Sequence, residues 1–313
     1  MTHVLVQKGP MGTVLDGKEI ADRIKQELLS EIAALKASSA FYPPRLAILS
    51  FATPTSKLYL GAQAKQASAL GVVTNVRSQL TDARGRGFVT DVGFVFPKDV
   101  TQGQIEEVIQ GLNESPSIHG IFVHQPMPPQ VDPQRISVLI DPRKDVEGIH
   151  PQNSARRFFA KARIGSCTAL AVMELIESTG VSLEGKEAVV VGHSEIVGRP
   201  VSMLLLDKLA TTTICHLGTD KAGRLEDHVR RADVLVVAVG RPQFIKGAWI
   251  KPGAIVIDVG INVVQGRVVG DVEFEAATSR AAFISPVPGG VGPVTVMMVM
   301  KNTIEAFKLQ HRT

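Results

Sequence analysis

Cysteine is scarce: Cys167 and Cys215 are the two in 313 residues, and neither belongs to a Cys-x-x-Cys pair. A disulfide scaffold or a cysteine-built zinc site finds little footing in that pattern. Long apolar runs are missing too; none approaches the length of a membrane span, so no membrane association is expected. The first residues, MTHVLVQKGPMG, lack the apolar core of a secretion signal, so the expectation is a cytoplasmic protein. Charge is nearly balanced, with a formal net charge of +4 and the excess dispersed. Nucleic acid would call for basic clustering, so none is expected as a partner, whereas a small anionic ligand suits the balance. No internal repeat or low-complexity tract stands out.

What is present is a rhythm of strand and helix signals, clearest from Lys186 to Leu205, KEAVVVGHSEIVGRPVSMLL. Val189, Val190 and Val191 form a β-branched run, as expected of a parallel strand buried on both faces. Gly192 ends it, and Ser194 is placed to cap a helix starting near Val197. Strand, glycine turn and helix N-terminus together make a phosphate cradle. The glycines do not spell G-x-G-x-x-G, because Ser194 stands at the second glycine position. Further strands are expected at Thr211–His216, Val234–Val239 and Ala254–Val259, each stopping at a glycine or polar turn. Ligands of such doubly wound sheets sit at the carboxyl ends of the strands, which places Gly192, His216, Gly240 and Gly260 around one crevice.

The first half reads as a helix over 14–36, a strand Arg45–Phe51 and a helix Ser56–Gly71 with a C-cap glycine. Residues 72–96 carry two β-rich runs joined by TDARGRG, a hairpin with a basic tip. A helix Thr101–Asn113 leads to the strand Ile118–Val123, which ends in HQPMPP. A helix at Leu170–Thr179 follows the loop after DPRKDVEGIHP, and SPVPGGVGP feeds a long apolar C-terminal helix. The domain boundary is expected near Pro151.

Several local motifs carry a family resemblance. They are Leu15–Lys18 (LDGK), Ser56-x-x-Tyr59, Pro126-x-Pro128, Lys144-Asp145-Val146 with Gly148 and His150-Pro151, and Cys167-Thr168. Later come Ser194-x-Ile196-Val197-Gly198-Arg199-Pro200, Asp258-x-Gly260-Ile261-Asn262, Gly270-Asp271-Val272 and PVPGGVGP at 286–293 with Thr295. From about residue 12 onward the chain resembles the bifunctional methylenetetrahydrofolate dehydrogenase/methenyltetrahydrofolate cyclohydrolase family. The resemblance implies an α/β fold of two domains around a cleft, the second a Rossmann-like doubly wound parallel sheet. Residues 1–150 would form the folate-binding catalytic domain and 151–294 the NAD(P)-binding domain, with the helix 295–313 packing back on the first. It also implies a homodimer, a tetrahydrofolate derivative as substrate and hydride transfer to NAD(P).

The resemblance assigns Tyr59 to stacking on the folate, with Ser56, Pro126, Gly292 and Val296 as further substrate contacts. One helical turn after Tyr59 the family carries a lysine used for the cyclohydrolase proton movements; here the position is Gln63, whose amide exchanges no proton near neutral pH. Lys65 lies about 200° further round the helix and is expected in solvent. His124 stands where the family has glutamine, either as a surrogate base or as a simple hydrogen-bond partner of Gln63 or substrate. Glu147 replaces a pterin-binding aspartate and is expected to accept two N–H donors. Hydride transfer needs no side-chain acid, so loss of the lysine threatens ring opening far more than oxidation.

The dinucleotide contacts implied are Thr168, Gly192, His193, Ser194, Ile196 and His216. Ala238, Gly240, Ile261, Gly292 and Thr295 complete the set. His193 stands where arginine is common, and Thr211–Thr219 offers no acid for a ribose 2′-hydroxyl, while His216 and Lys221 are potential cations. NADP is therefore expected over NAD. Arg84 and Arg86 at the hairpin tip suggest either a contact to the folate tail or a dimer partner, or a solvated loop. The expectation is a methylenetetrahydrofolate dehydrogenase with cyclohydrolase weak or lost and a separate cyclohydrolase in the pathway. A fully bifunctional enzyme and a non-catalytic folate- or nucleotide-binding paralogue are the alternatives.

Overall fold

In the computed structural model the described residues are 12–37, 43–52, 54–74, 88–90, 93–159 and 162–311. The TDARGRG tip, with Arg84 and Arg86, lies outside them. In chain order the elements begin with β1 (Thr13–Val14), α1 (Gly17–Ala37), β2 (Leu46–Phe51), α2 (Pro54–Leu70), β3 (Phe88–Thr90) and β4 (Gly93–Phe96). Next come α3 (Gln102–Glu114), β5 (Gly120–Val123), α4 (Pro133–Leu139), α5 (Pro151–Phe158), α6 (Cys167–Glu177) and β6 (Glu187–Val191). They continue with α7 (Gly198–Asp207), β7 (Thr211–Cys215), α8 (Leu217–Lys221), α9 (Leu225–Arg231), β8 (Val234–Val237) and β9 (Ile255–Asp258). The last are β10 (Asn262–Val264), β11 (Arg267–Val269), α10 (Phe274–Thr278), β12 (Phe283–Ile284) and α11 (Val291–His311).

The chain divides into two compact units, one of Asp22–Cys167 with Val296–Thr313, the other of residues up to Ala21 with Thr168–Thr295. In the first, a sheet of order β3-β4-β2-β5 has β2 parallel to both neighbours and β3 antiparallel at the edge. Every residue of β2, LAILSF, is buried, which is why the strand reads as an unbroken apolar run. Helix α3 lays Ile105, Ile109 and Leu112 at one-turn spacing into a core with Phe51, Phe94 and Phe96. Thr101 starts α3 with a reciprocal capping box to Gln104. Helix α2 ends as its sequence suggests: Gly71 takes φ +71°, and the Val72 N–H returns to Ala67 O at 2.9 Å.

The second unit holds a six-stranded sheet of order β1-β12-β9-β8-β6-β7 in which every pairing is parallel. The α/β class and the doubly wound parallel sheet expected from the sequence are thus observed. Its valine-rich strands β6, β8 and β9 are buried throughout their central residues, with α9 covering them through Leu225 and Val229. Strand β8 ends sooner than its apolar run suggests, because the Val239 N–H turns to a side-chain carboxylate instead of a neighbouring strand. The two-residue strands β1 and β12 are too short to leave a period in the sequence. So is the β10–β11 hairpin, whose turn residues Gln265 and Gly266 take φ of 51° and 76°.

Candidate active site

Gln63, His124 and Glu147 come together in the first unit. Tyr59 and Gln63 lie four residues apart on α2 and so share one face, while Lys65 is exposed, as its position round the helix requires. Gln63 is 3 % exposed and accepts a 2.7 Å hydrogen bond at Oε1 from the Nε2–H of His124. His124 is fixed at the carboxyl end of β5 by its backbone N–H to Leu49 O (2.8 Å) and meets the Phe122 ring edge-on. Burial drops its imidazole to about 4, so it is a neutral donor near pH 7 and a weak base. Just past the end of β5, the Gln125–Pro126 peptide is cis.

One residue before His124, the Val123 N–H is bonded to the carboxyl of Glu147. Burial pushes that carboxyl up to about 8, and the Asp145 charge adds to the rise, against the pull of the Val123 bond. That rise favours the protonated carboxyl near neutral pH while no ligand N–H group faces it. The surrounding motif residues are scaffold. Asp145 accepts from the N–H groups of Gly148 (3.0 Å) and His150 (2.8 Å) and from Asn153 (2.9 Å), tying the loop into the start of α5. Gly148, at φ +67°, is required because a Cβ there would strike Gly165 at 2.4 Å. Cys167 donates its thiol to Val146 O (3.1 Å), beside Asn302, and burial pushes the thiol well above its usual range, so it is not a nucleophile.

The second unit gathers the expected dinucleotide positions. At the carboxyl end of β6, Gly192 has φ +130°, and a Cβ there would lie 2.3 Å from Ala238 O. Ser194 Oγ accepts from the N–H groups of Val197 (3.2 Å) and Gly198 (3.4 Å), so the serine itself fills part of the cradle at the start of α7. His193 and His216 stand at the ends of the adjacent strands β6 and β7 with ring centroids 5.4 Å apart, both exposed. His216 Nδ1 accepts from the Gly218 N–H (3.1 Å), which leaves its Nε2 carrying the hydrogen. The LDGK and PVPGGVGP motifs meet: the Gly17 N–H bonds Gly289 O (2.9 Å), and a Cβ on Gly17 would overlap Gly290 O. Among the described residues a Cβ on Gly292 would meet nothing within 4 Å, so open space lies beside that glycine. The strand–glycine–helix turn at Gly192 fits a dinucleotide phosphate.

Two carboxylates in this unit, Asp258 and Asp271, stand in the family motifs but receive no site role from the sequence. Asp258, at the end of β9, accepts from Gly260 (3.0 Å), Asp271 (3.0 Å) and Val272 (2.9 Å) backbone N–H groups. Burial raises it to about 6, the Asp271 charge adding and the three N–H bonds opposing. Asp271 in turn accepts from Val239, Gly240 and Arg241 N–H and from Asn262 Nδ2, at 2.7 to 2.9 Å. An acid ending an apolar strand, as in VIDVG, was the available signal.

The tetrahydrofolate dehydrogenase/cyclohydrolase catalytic-domain family matches residues 15–147, and the NAD(P)-binding domain of the same family matches residues 166–311. The chain belongs to the tetrahydrofolate dehydrogenase/cyclohydrolase family. It is 43% identical to a Myxococcus xanthus protein named "Bifunctional protein FolD 2" over 94% of this chain and 95% of that protein. A solved Trypanosoma brucei methylenetetrahydrofolate dehydrogenase-cyclohydrolase (FolD), complexed with NADP cofactor and inhibitor, is similar with TM-score 0.86 and 38% identity. That likeness covers 97% of this chain and 100% of that one. A Campylobacter jejuni FolD structure matches with TM-score 0.84 and 34% identity, covering 96% of this chain and 99% of that one. Among the described residues of this family member no helix is long and apolar enough to cross a membrane, and no acid, histidine or cysteine cluster is suited to a metal ion.

Proposed function

We propose that this chain oxidises 5,10-methylenetetrahydrofolate to the 5,10-methenyl cation and opens that ring with water to 10-formyltetrahydrofolate. The names carried by relatives at about 40% identity favour both steps. The observation that carries the oxidation is that the chain holds the Tyr59 and Gln63 positions of α2 and Glu147 in one unit, and an intact glycine turn and PVPGGVGP loop in the other. When bound, the nicotinamide supplies the hydride acceptor. The chain's part is to hold the pterin: Tyr59 as a stacking surface and Glu147 as partner to ring N–H groups. NADP is assigned over NAD, because His193 and His216 offer donors at the ribose end and Asp220 is engaged by Arg241 at 3.4 Å. A homodimer is part of the same proposal.

A second reading, in which ring opening is slow, is favoured by one observation. The Gln63–His124 pair puts a neutral amide and a neutral imidazole where a proton carrier would serve hydrolysis. One spectrophotometric assay separates the readings. Methenyl absorbance that accumulates with reduced dinucleotide marks slow ring opening; absorbance that decays as fast as it forms marks both steps. If no reduced dinucleotide appears, the protein is not a dehydrogenase.

Glu147 gives the folate assignment its own pH signature. A ligand offering two N–H donors needs the carboxylate, so binding must expel the proton from a carboxyl near 8. The folate KM is expected to fall as pH rises from 6 toward 8, by up to about tenfold per pH unit, and then to level off. In Glu147→Gln the profile goes flat, because nothing titrates there. A wild-type KM independent of pH across 6 to 9 would remove Glu147 from the pterin site.

A further inference from the structure

Asp271 is fully buried, and its four partners are amide groups, three of them successive backbone N–H groups in the turn 239–241 after β8. A carboxylate that gathers three consecutive amides fixes the whole turn, since each bond points at one pair of oxygens. The turn begins beside Ala238, whose carbonyl oxygen lies where a Cβ of Gly192 would be, so it abuts the glycine turn after β6. Asp271 is itself held: its own N–H and that of Val272 are bonded by Asp258, which is anchored at the end of β9. Two carboxylates in series therefore link the sheet to the far wall of the crevice. Gly260 belongs to the same device, because a Cβ there would come within 2.1 Å of the Asp271 carboxyl.

We infer that Asp271 is a positioning residue for the dinucleotide pocket, holding the 239–241 turn against the Gly192 turn so that dinucleotide affinity depends on it. This rests on the reading of this unit as the dinucleotide-binding one. It carries a chemical consequence: the three amides of the turn are occupied by an internal anion, so they are not a phosphate nest. The turn serves as a shaped wall, and it acts on the part of the ligand common to NAD and NADP.

The test uses the full chain with Asp271→Asn, in which an amide replaces one of the two acceptor oxygens, and Gly260→Ala, which displaces the carboxylate from outside. Asn262→Ala removes one of the four donors and is the mildest variant. NADPH and NADH binding is followed by fluorescence titration, beside kcat, folate KM and a thermal melt. Expected is a rise of about tenfold in Kd for Asp271→Asn and Gly260→Ala, the equivalent of one amide–carboxylate hydrogen bond. The same factor should apply to NADPH and NADH, with folate KM unchanged and kcat at saturating dinucleotide within about twofold. Asn262→Ala is expected to shift Kd by about twofold to threefold in the same direction. Folded variants with wild-type Kd would overturn the inference, as would an equal loss in kcat and both KM values, the mark of a purely structural residue. If Asp271→Asn fails to fold, Asn262→Ala decides alone. An unmutated chain that binds neither NADPH nor NADH sinks the functional reading first, and this inference with it.

Discussion

A lysine in place of Gln63 is expected to speed hydrolysis of the methenyl cation by about a hundredfold or more, the usual range for one well-placed general acid–base group. Oxidation should stay within about threefold, because it depends on the geometry of two rings and not on a proton donor. Gln63 is 3 % exposed and bonded to His124 at 2.7 Å, so a lysine there would be drawn down in pKa by burial. That brings an amine toward neutrality, where proton shuttling works best. Burial lowers the His124 imidazole to about 4, which makes it a weak base for that step in the native chain. The measurement is the decay of methenyl absorbance without dinucleotide, which reads ring opening alone. Brisk hydrolysis by the native chain, unchanged when Gln63 and His124 are both truncated to alanine, would show that other groups open the ring.

Removing the Lys144 ammonium is expected to cost about 3 kcal/mol of stability, close to the loss seen when a buried charge partner is deleted. Lys144 is 4 % exposed, and its Nζ donates to Leu112 O (2.9 Å), Asn113 O (2.7 Å) and Ser115 O (2.7 Å). Leu112 and Asn113 lie in the last turn of α3, where carbonyls have no partner inside the helix, and Ser115 is its C-cap. The cation also faces the negative end of the helix dipole. In Lys144→Met the stem still packs, but Leu112 O and Asn113 O lose their donor at once, while Ser115 O keeps the Ile118 N–H at 3.3 Å. Urea unfolding followed by far-UV circular dichroism should show a midpoint lowered by about 1 M or more at unchanged slope. The single tryptophan, Trp249, lies in the other unit, so its fluorescence would miss the loss. An unchanged midpoint would mean that water replaces the ammonium at no cost.

Local chemistry was legible in the sequence wherever it is written in consecutive residues. The valine run before Gly192, the helix starting at Thr101 and the C-cap at Gly71 each concern a few neighbouring groups, and the observed elements follow them. The family motifs were legible for the same reason. The presence of an amide at position 63 was plain too, since residue type needs no fold to be read. What no local reading supplies is which buried group meets which. The bond between Gln63 and His124 joins residues 61 apart, and the proton on Glu147 follows from burial and from the neighbouring Asp145. The amides of the 239–241 turn are claimed by an acid about thirty residues later. Desolvation and long-range pairing are properties of the packed chain, so the titration states and internal clasps had to wait for the tertiary structure.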